Sequence, residues 1–286
     1  KRQVYDIDSH ACIVDGVRLH VGKRFTFQHN DIESLEKNII RAQKIVDKTG
    51  GGILVISEGV FGMRGEQGKI KEIVELKKKY DFRLLVDDAH GFGTLGDDGS
   101  GVGKEQNVMD DIDVYFATFA KSLASTGAFV AGSKNVIKFL KYNMRSQMFA
   151  KSLQMQLVVG AIKRLEILKN EPQHREKLWK NVKALQTGLV KSGFDIGTTK
   201  SCVTPVFLKG DVPEAMVLVK DLREKYNIFC SIVVYPVIPK GLILLRLIPT
   251  ATHTIEDINE TLDSFLAIRD KLQNGYYKKL SERISV

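Results

Sequence analysis

The first half of the chain alternates short, continuously apolar runs with segments of helical spacing, and this alternation constrains the fold more than any other feature. The apolar runs are GILVISEG (52–59), FRLLVDD (82–88), DVYFATF (113–119) and AFVAG (128–132). Around them, DIESLEKNIIRAQKIV (31–46) and KIKEIVELKKKY (69–80) repeat apolar residues every three to four positions. Buried strands that alternate with helices predict a parallel or mixed α/β sheet covered on both faces. Such sheets bind their ligands at the carboxyl ends of strands.

The pattern changes near residue 150, which predicts a second domain. Residues 152–170 have the spacing of one long helix, and Pro172 follows it. Beyond it we expect strands around CVTPVFL and ILLRLI, with the helix EAMVLVKDLREKY between them. The last helix begins at Thr254 with a capping box. We therefore predict a large α/β domain over 1–168 and a smaller α+β domain over 172–286.

Composition and cysteine usage favour a globular protein of a reducing compartment. Of the 286 residues, 43% are hydrophobic and 27% are charged, and no apolar run approaches the ~20 residues of a membrane span. The opening segment KRQVYDIDSHACIVDG is polar, and we predict a strand and a turn there rather than a signal peptide. The odd number and wide spacing of Cys12, Cys202 and Cys230 favour free thiols in the cytoplasm over disulfides or a metal site.

The net charge of +9 suggests an anionic partner without naming it. The basic residues are spread along helices rather than interleaved with aromatic residues, which disfavours nucleic-acid binding. A solvated basic surface, a phosphate-bearing small molecule and an acidic membrane surface all fit this charge. Peripheral association with the inner face of a membrane is therefore one expectation.

The segment RLLVDDAHGFGTLGDDGSG (83–101) contains two competing signals. GFGTLG matches the G-x-G-x-x-G dinucleotide pattern, which would make the protein an NAD-binding oxidoreductase. That pattern must follow a strand directly and open a helix. Here DDAH separates the strand from Gly91, and DDGSGVG after Gly96 cannot propagate a helix. The glycines therefore predict a tight, irregular loop instead of an NAD site.

Acidic and basic side chains near two strand ends carry the stronger signal. Asp87 ends an apolar run, where a carboxylate can cap a helix, bind a metal or hold a cationic ring nitrogen, and His90 lies three residues on. Lys121 follows another run, in a turn of small residues where we expect it to be buried. Buried lysines are used to form Schiff bases. A lysine for the aldehyde and a carboxylate for the pyridine nitrogen are together what pyridoxal phosphate (PLP) requires.

At these residues the sequence resembles the α-oxoamine synthases, which are PLP enzymes of fold type I. The resembling segments are DSHACIVDGVRL, HNDIESLE, SEGVFGMRGE, VDDAHGFGTLG, TFAKSLASTGAFVAG and LRLIPTATHT, in family order. The resemblance implies an aspartate-aminotransferase-like large domain and a smaller C-terminal domain. Family members are longer, which implies that an N-terminal part of the fold, with a phosphate-binding turn, is missing before Lys1. The chain departs from the family pattern at Gly62, Ala120, Ala150 and Lys151.

The resemblance implies roles for residues around the cofactor ring. Lys121 would hold the cofactor covalently and then remove the Cα proton of the amino acid. Asp87 would pair with the ring nitrogen, and His90 would bond the ring hydroxyl. His10 would stack on the ring face.

Three further residues are implied to hold anionic groups. Thr118 would contact the cofactor phosphate, and Ser152 would do so across a dimer interface. Arg246 lies in the apolar run ILLRLI, where an unpaired charge is expensive, and would bind the substrate carboxylate.

Within the family the chain most resembles the bacterial serine palmitoyltransferases, through EGVFGMRGEQGKIKEI and NMRSQMFAKSL. The implied reaction is the decarboxylating condensation of L-serine with palmitoyl-CoA to 3-ketodihydrosphingosine, CoA and CO2. Glycine C-acetyltransferase (2-amino-3-ketobutyrate CoA ligase) and 8-amino-7-oxononanoate synthase are the alternatives within the family. A non-catalytic partner subunit is a further alternative, which Lys121 disfavours. The family also implies a homodimer with active sites at its interface.

Overall fold

The computed structural model describes residues 2–235 and 237–284 and divides them into two compact units. The first unit comprises the described residues up to Phe61 together with Gln67–Pro172. The second comprises Gly62–Glu66 together with the described residues from Gln173 onwards. No helix in the described part of the chain has the length and apolarity needed to cross a membrane.

The short segment Gly62–Glu66 belongs to the second unit, although the sequence assigns it to the first domain. The carbonyl oxygen of Gly65 accepts a 3.2 Å hydrogen bond from the backbone of Lys200 and a 3.1 Å bond from the hydroxyl of Thr199. The hydroxyl of Thr198 donates to Glu66 at 2.6 Å. These bonds between residues distant in sequence cannot be predicted from local pattern.

A six-stranded sheet forms the centre of the first unit. Its strands are β1 (Arg2–Asp6), β2 (Arg24–Phe27), β3 (Ile53–Glu58), β4 (Arg83–Asp87), β5 (Val114–Thr118) and β6 (Ala128–Gly132). The spatial order is β2-β1-β3-β4-β5-β6. All neighbours are parallel except β6, which is antiparallel to β5. The predicted mixed, mostly parallel sheet is thus confirmed.

Helices cover this sheet and leave its carboxyl edge for polar residues. They are α1 (Ala11–Arg18), α2 (Ile32–Thr49), α3 (Ile70–Lys77), α4 (Val102–Glu105), α5 (Lys134–Asn143), α6 (Arg145–Phe149) and α7 (Met155–Asn170). Helix α2 begins where Asp31 accepts a 2.9 Å bond from the backbone of Ser34. It buries Leu35, Ile39 and Ala42 completely. This three- to four-residue spacing is why the segment forms a helix against the sheet.

Two local features differ from expectation. The opening segment contains the expected strand and turn, but helix α1, which was not expected, begins at Ala11, where the side chain of His10 caps it. Strand β6 was expected to be buried, yet Ala128 and Val130 are exposed. Its place at the edge of the sheet, which composition does not reveal, leaves it covered on fewer sides.

The second unit is built around a three-stranded antiparallel sheet in the order β7-β9-β8. The strands are β7 (Thr204–Lys209), β8 (Ser231–Val233) and β9 (Leu242–Leu247), and the helices are α8 (Gln173–Lys191), α9 (Val212–Tyr226), α10 (Ile255–Gln273) and α11 (Tyr276–Ile284). Its core joins Leu189, Leu222, Leu245 and Phe265, all fully buried. The predicted capping box at Thr254 is present.

Candidate active site

Three neighbouring parallel strands each end in a buried carboxylate. Asp6 ends β1, Glu58 ends β3 and Asp87 ends β4, and their exposed fractions are 0%, 6% and 7%. The strand register places Glu58 directly beside Asp87. Because parallel strands end at one edge of the sheet, the three acids gather at its carboxyl edge.

Asp6 uses its oxygens to organise the loop after β2. Oδ1 accepts hydrogen bonds from the backbone of Asp8 at 2.9 Å and from Nδ1 of His29 at 3.1 Å. Oδ2 accepts the backbone N–H of Asn30 at 2.9 Å. Both carboxylate oxygens are hydrogen-bonded by the surrounding chain, so Asp6 positions the loop at the edge of the site.

The carboxylates of Glu58 and Asp87 accept fewer hydrogen bonds than that of Asp6. Glu58 accepts the backbone N–H of His10, and Oδ1 of Asp87 accepts that of Ala89 at 3.0 Å. Burial, together with the charge of Asp87, raises the pKa of Glu58 to about 8, against the hydrogen bond from His10 and the charge of Lys121. Burial also raises the pKa of Asp87, against the hydrogen bond from Ala89 and the attraction of Lys121. A buried acid pair of this kind favours a cationic ligand.

Lys121 lies in a hydrogen-bonded turn between β5 and β6. The backbone of Phe119 donates to Gly127 at 2.9 Å, and that of Ser125 donates to Phe119 at 2.9 Å. The hydroxyl of Thr118 donates to Gly127 at 3.2 Å and accepts the backbone N–H of Ala120 at 3.2 Å. Thr118, implied to hold phosphate, therefore also fixes the turn that carries Lys121.

Lys121 itself is exposed, so the expected burial of this lysine is wrong. The reason is its place at the tip of the β5–β6 connection, near the open edge strand. Its charge nevertheless acts on both Glu58 and Asp87. The amine is thus accessible to a ligand and electrostatically coupled to the acid pair.

The remaining predicted residues occupy different places. His10 caps α1 and acts on Asp87, and His90 is half-buried in the turn after β4. Ser152 is exposed in the irregular segment between α6 and α7. Its neighbour Leu153 packs against the turn of Lys121, where a Cβ at Gly127 would meet it at 3.0 Å.

Arg246 lies in β9 of the second unit, half-buried and opposite Pro205 and Ser231. Its Nε is buried and has no hydrogen-bond partner among the residues that the structure describes. Burial lowers the pKa of this guanidinium. A half-buried guanidinium whose Nε lacks a hydrogen-bond partner suits an anionic ligand.

Gly91 of GFGTLG, together with Gly59 and Gly101, lies against the carboxylate of Asp88. A Cβ on Gly59, Gly91 or Gly101 would lie 2.0–2.1 Å from a carboxylate oxygen of Asp88. That carboxylate is fully buried and accepts 2.7 Å bonds from Tyr115 and from the backbone of Val102. Burial raises the pKa of Asp88 to about 7. Asp88 is therefore a structural centre of the loop.

Gly93 brings the loop of Asp87 against the turn of Lys121. It has a φ of 84°, and a Cβ there would lie 2.4 Å from Cβ of Ser122. We predict that Gly93→Ala lowers turnover by up to about 10²-fold, because small displacements of reacting groups are costly. It should also lower the free energy of unfolding by about 1–3 kcal/mol through overpacking.

Turnover assays and thermal unfolding followed by circular dichroism measure these two effects. Gly52→Ala is the matched control, because its Cβ would meet nothing within 4 Å. Equal turnover of the two variants would show that the close approach at Gly93 has no part in the site.

Sequence reasoning missed two residues of this site. Glu58 ends the apolar run GILVISE just as Asp87 ends its own. The pattern that indicated Asp87 could therefore also have indicated Glu58. The sequence predicts an ordinary free thiol at Cys12, but its Sγ lies 3.0 Å from Nδ1 of His10. Only the start of α1 at that position could have revealed this contact.

Comparisons with known proteins agree with this geometry. The aminotransferase class I and II family matches residues 4–265. A cysteate-C-fatty acyltransferase from Capnocytophaga ochracea is 67% identical over 99% of this chain and 67% of its own length. A serine palmitoyltransferase from Sphingobacterium spiritivorum is 36% identical over 92% of this chain and 64% of its own length.

A solved serine palmitoyltransferase from S. paucimobilis, with a bound PLP–myriocin aldimine, superimposes with a TM-score of 0.88. It shares 31% identity, over 96% of this chain and 67% of that one. The chain belongs to the class I and II aminotransferase family, in its α-oxoamine synthase branch. It spans about two thirds of the length of these relatives.

Proposed function

We propose that the protein is a PLP-dependent acyltransferase that condenses an amino acid with a fatty acyl-CoA and releases CO2 and CoA. The observation that carries this proposal is the coupling of an accessible lysine to a buried carboxylate pair at the carboxyl edge of the sheet. Membership of the α-oxoamine synthase branch supports the same chemistry.

The residues present fit this cofactor. Lys121 offers an accessible amine for its aldehyde, and Asp87 offers a buried carboxylate that a protonated ring nitrogen would compensate. His10 and His90 would contact the ring, and Thr118 its phosphate. Ser152, which is exposed, would contact the phosphate across the dimer interface. When bound, PLP supplies an electron-withdrawing ring that stabilises negative charge on the Cα atom.

Three residues of the chain then have separate roles in the reaction. Asp87 would hold the ring nitrogen in its protonated form through its negative charge. Lys121 Nζ takes the proton from Cα of the amino acid. Arg246, whose Nε has no hydrogen-bond partner among the described residues, would bind the substrate carboxylate.

The bonds that change define the product. A carbon–carbon bond forms between Cα and the acyl carbonyl, and the thioester bond breaks to release CoA. The carboxylate bond to Cα then breaks to release CO2, and a proton replaces it. The product is a 2-amino ketone that carries the side chain of the amino acid.

We propose cysteate, rather than the serine favoured by the sequence motifs, as the amino acid. The named cysteate enzyme is 67% identical to this chain, whereas the serine palmitoyltransferase is 36% identical. Cysteate carries a sulfonate where serine carries a hydroxyl. This second permanent anion suits a chain with a net charge of +9. The product would be a 2-amino-3-oxoalkane-1-sulfonate.

A substrate matrix tests this proposal. Cysteate, serine, glycine and alanine are each offered with palmitoyl-, pimeloyl- and acetyl-CoA, and release of CoA is measured. We expect cysteate with palmitoyl-CoA to turn over fastest. Serine with palmitoyl-CoA, glycine with acetyl-CoA or alanine with pimeloyl-CoA would instead identify the three alternatives. Activity with none of the twelve pairs would contradict the proposed reaction.

We also propose that the protein forms a homodimer with its active sites at the interface. Helices α5–α7 expose a run of apolar side chains, namely Phe139, Tyr142, Met148, Phe149, Val159 and Ile162. Apolar surface on this scale is typical of a protein interface. Light scattering coupled to gel filtration measures the predicted doubled mass.

We also propose that the protein is cytoplasmic and associates peripherally with the inner face of a membrane. The basic net charge supports it, because polybasic surfaces bind anionic lipids. Sedimentation with anionic vesicles, compared with neutral ones, measures this association.

A further inference from the structure

The thiol of Cys12 lies against the imidazole of His10 at the edge of the candidate site. The distance from Cys12 Sγ to His10 Nδ1 is 3.0 Å, within reach of a hydrogen bond to sulfur. The backbone N–H of Cys12 donates to the same nitrogen at 3.3 Å. A backbone N–H can only donate, so Nδ1 presents its lone pair and the ring proton of the neutral imidazole sits on Nε2.

The surroundings keep Cys12 in the form that can donate. Burial raises the pKa of this thiol, and the charges of Asp87 and Glu58 raise it further. A thiol whose pKa lies above its ordinary value stays protonated at neutral pH. The acids at the carboxyl edge thus preserve the S–H group beside His10.

We propose that Cys12 is the positioning residue of His10, its thiol and backbone N–H together holding Nδ1 as acceptor and leaving Nε2 as the proton-bearing nitrogen. This inference deepens the proposed function, in which His10 faces the cofactor ring. A serine hydroxyl at position 12 can replace the bond of the thiol, whereas an alanine leaves only the longer backbone N–H bond of 3.3 Å. Cys12→Ser should therefore preserve the arrangement, and Cys12→Ala should loosen it.

The test reads the ring of His10 directly. Wild type, Cys12→Ser and Cys12→Ala are labelled with ¹⁵N-histidine and loaded with PLP, and their imidazole nitrogen shifts are measured by NMR without substrate. The signal that is lost in His10→Gln is assigned to His10. Wild type and Cys12→Ser should show the Nε2–H tautomer alone, and Cys12→Ala should show averaged nitrogen shifts. With substrate, Cys12→Ala should lower kcat about three- to tenfold, the value of one hydrogen bond, and Cys12→Ser should stay within about twofold.

Cys202→Ser is the matched control, because it removes a buried thiol from the second unit. Wild-type nitrogen shifts in Cys12→Ala, or averaged shifts in Cys12→Ser, would overturn the positioning role. Because the shifts are read without substrate, they stand apart from the proposed reaction. A protein with the expected shifts and no turnover would refute the reaction and keep the role of Cys12.

Discussion

Lys121→Ala is expected to abolish turnover and covalent retention of the cofactor. The amine is the group at this turn that can bond an aldehyde, and we assign to it the transfer of the Cα proton. Loss of a general base alone lowers rates about 10²–10⁴-fold. Turnover should therefore fall by at least that factor, and borohydride-treated Lys121→Ala should carry no cofactor on the chain.

Two further variants separate the chemistry of Lys121 from its charge. Lys121→Arg keeps a cation near Glu58 and Asp87 but cannot bond the aldehyde, so we expect it to be as inactive as Lys121→Ala. Lys134→Ala removes an exposed lysine at the start of α5 and should behave as wild type. Substantial activity of Lys121→Arg would show that the residue acts through charge alone.

Asp87→Asn is expected to keep the cofactor bound and lower turnover about 10²–10³-fold, as removal of one preorganised electrostatic contact does. The amide has the size of the carboxyl and can still accept the backbone N–H of Ala89, so the local fold should persist. What it lacks is the negative charge that keeps the ring nitrogen protonated. Turnover and cofactor absorbance of the purified protein measure the two parts of this prediction.

The control for Asp87→Asn must lie away from the loop. Asp88 is unsuitable, because three glycines enclose its buried carboxylate and a change there disturbs the fold. Asp110→Asn alters an exposed acid and should leave turnover unchanged. If Asp87→Asn also turns over normally, the electron-withdrawing role assigned to Asp87 is wrong.

The sheet could be predicted because strands that are buried on both faces appear in the sequence as continuous apolar runs. Asp87 could be singled out because it ends such a run, and parallel strands end at one edge. Lys121 could be paired with it because both follow strands of the same sheet. The resemblance to α-oxoamine synthases then supplied roles that no spacing rule contains.

Other features depend on contacts through space and stayed hidden. The cage around Asp88 combines Gly59, which follows β3, with Gly91 and Gly101 from the connection between β4 and α4. The exposure of β6 follows from its edge position, since AFVAG has the composition of a buried strand. Helix α1 starts with a histidine cap, which lies outside the usual set of Ser, Thr, Asp and Asn.

The stoichiometry of a single reaction tests the central claim most directly. The protein is loaded with PLP and given palmitoyl-CoA with cysteate labelled in its carboxyl carbon. Labelled CO2, free CoA and the amino-ketone sulfonate are then measured together. We predict that the three appear in equal amounts and that none appears with Lys121→Ala. Release of CoA without labelled CO2 would contradict the decarboxylating condensation.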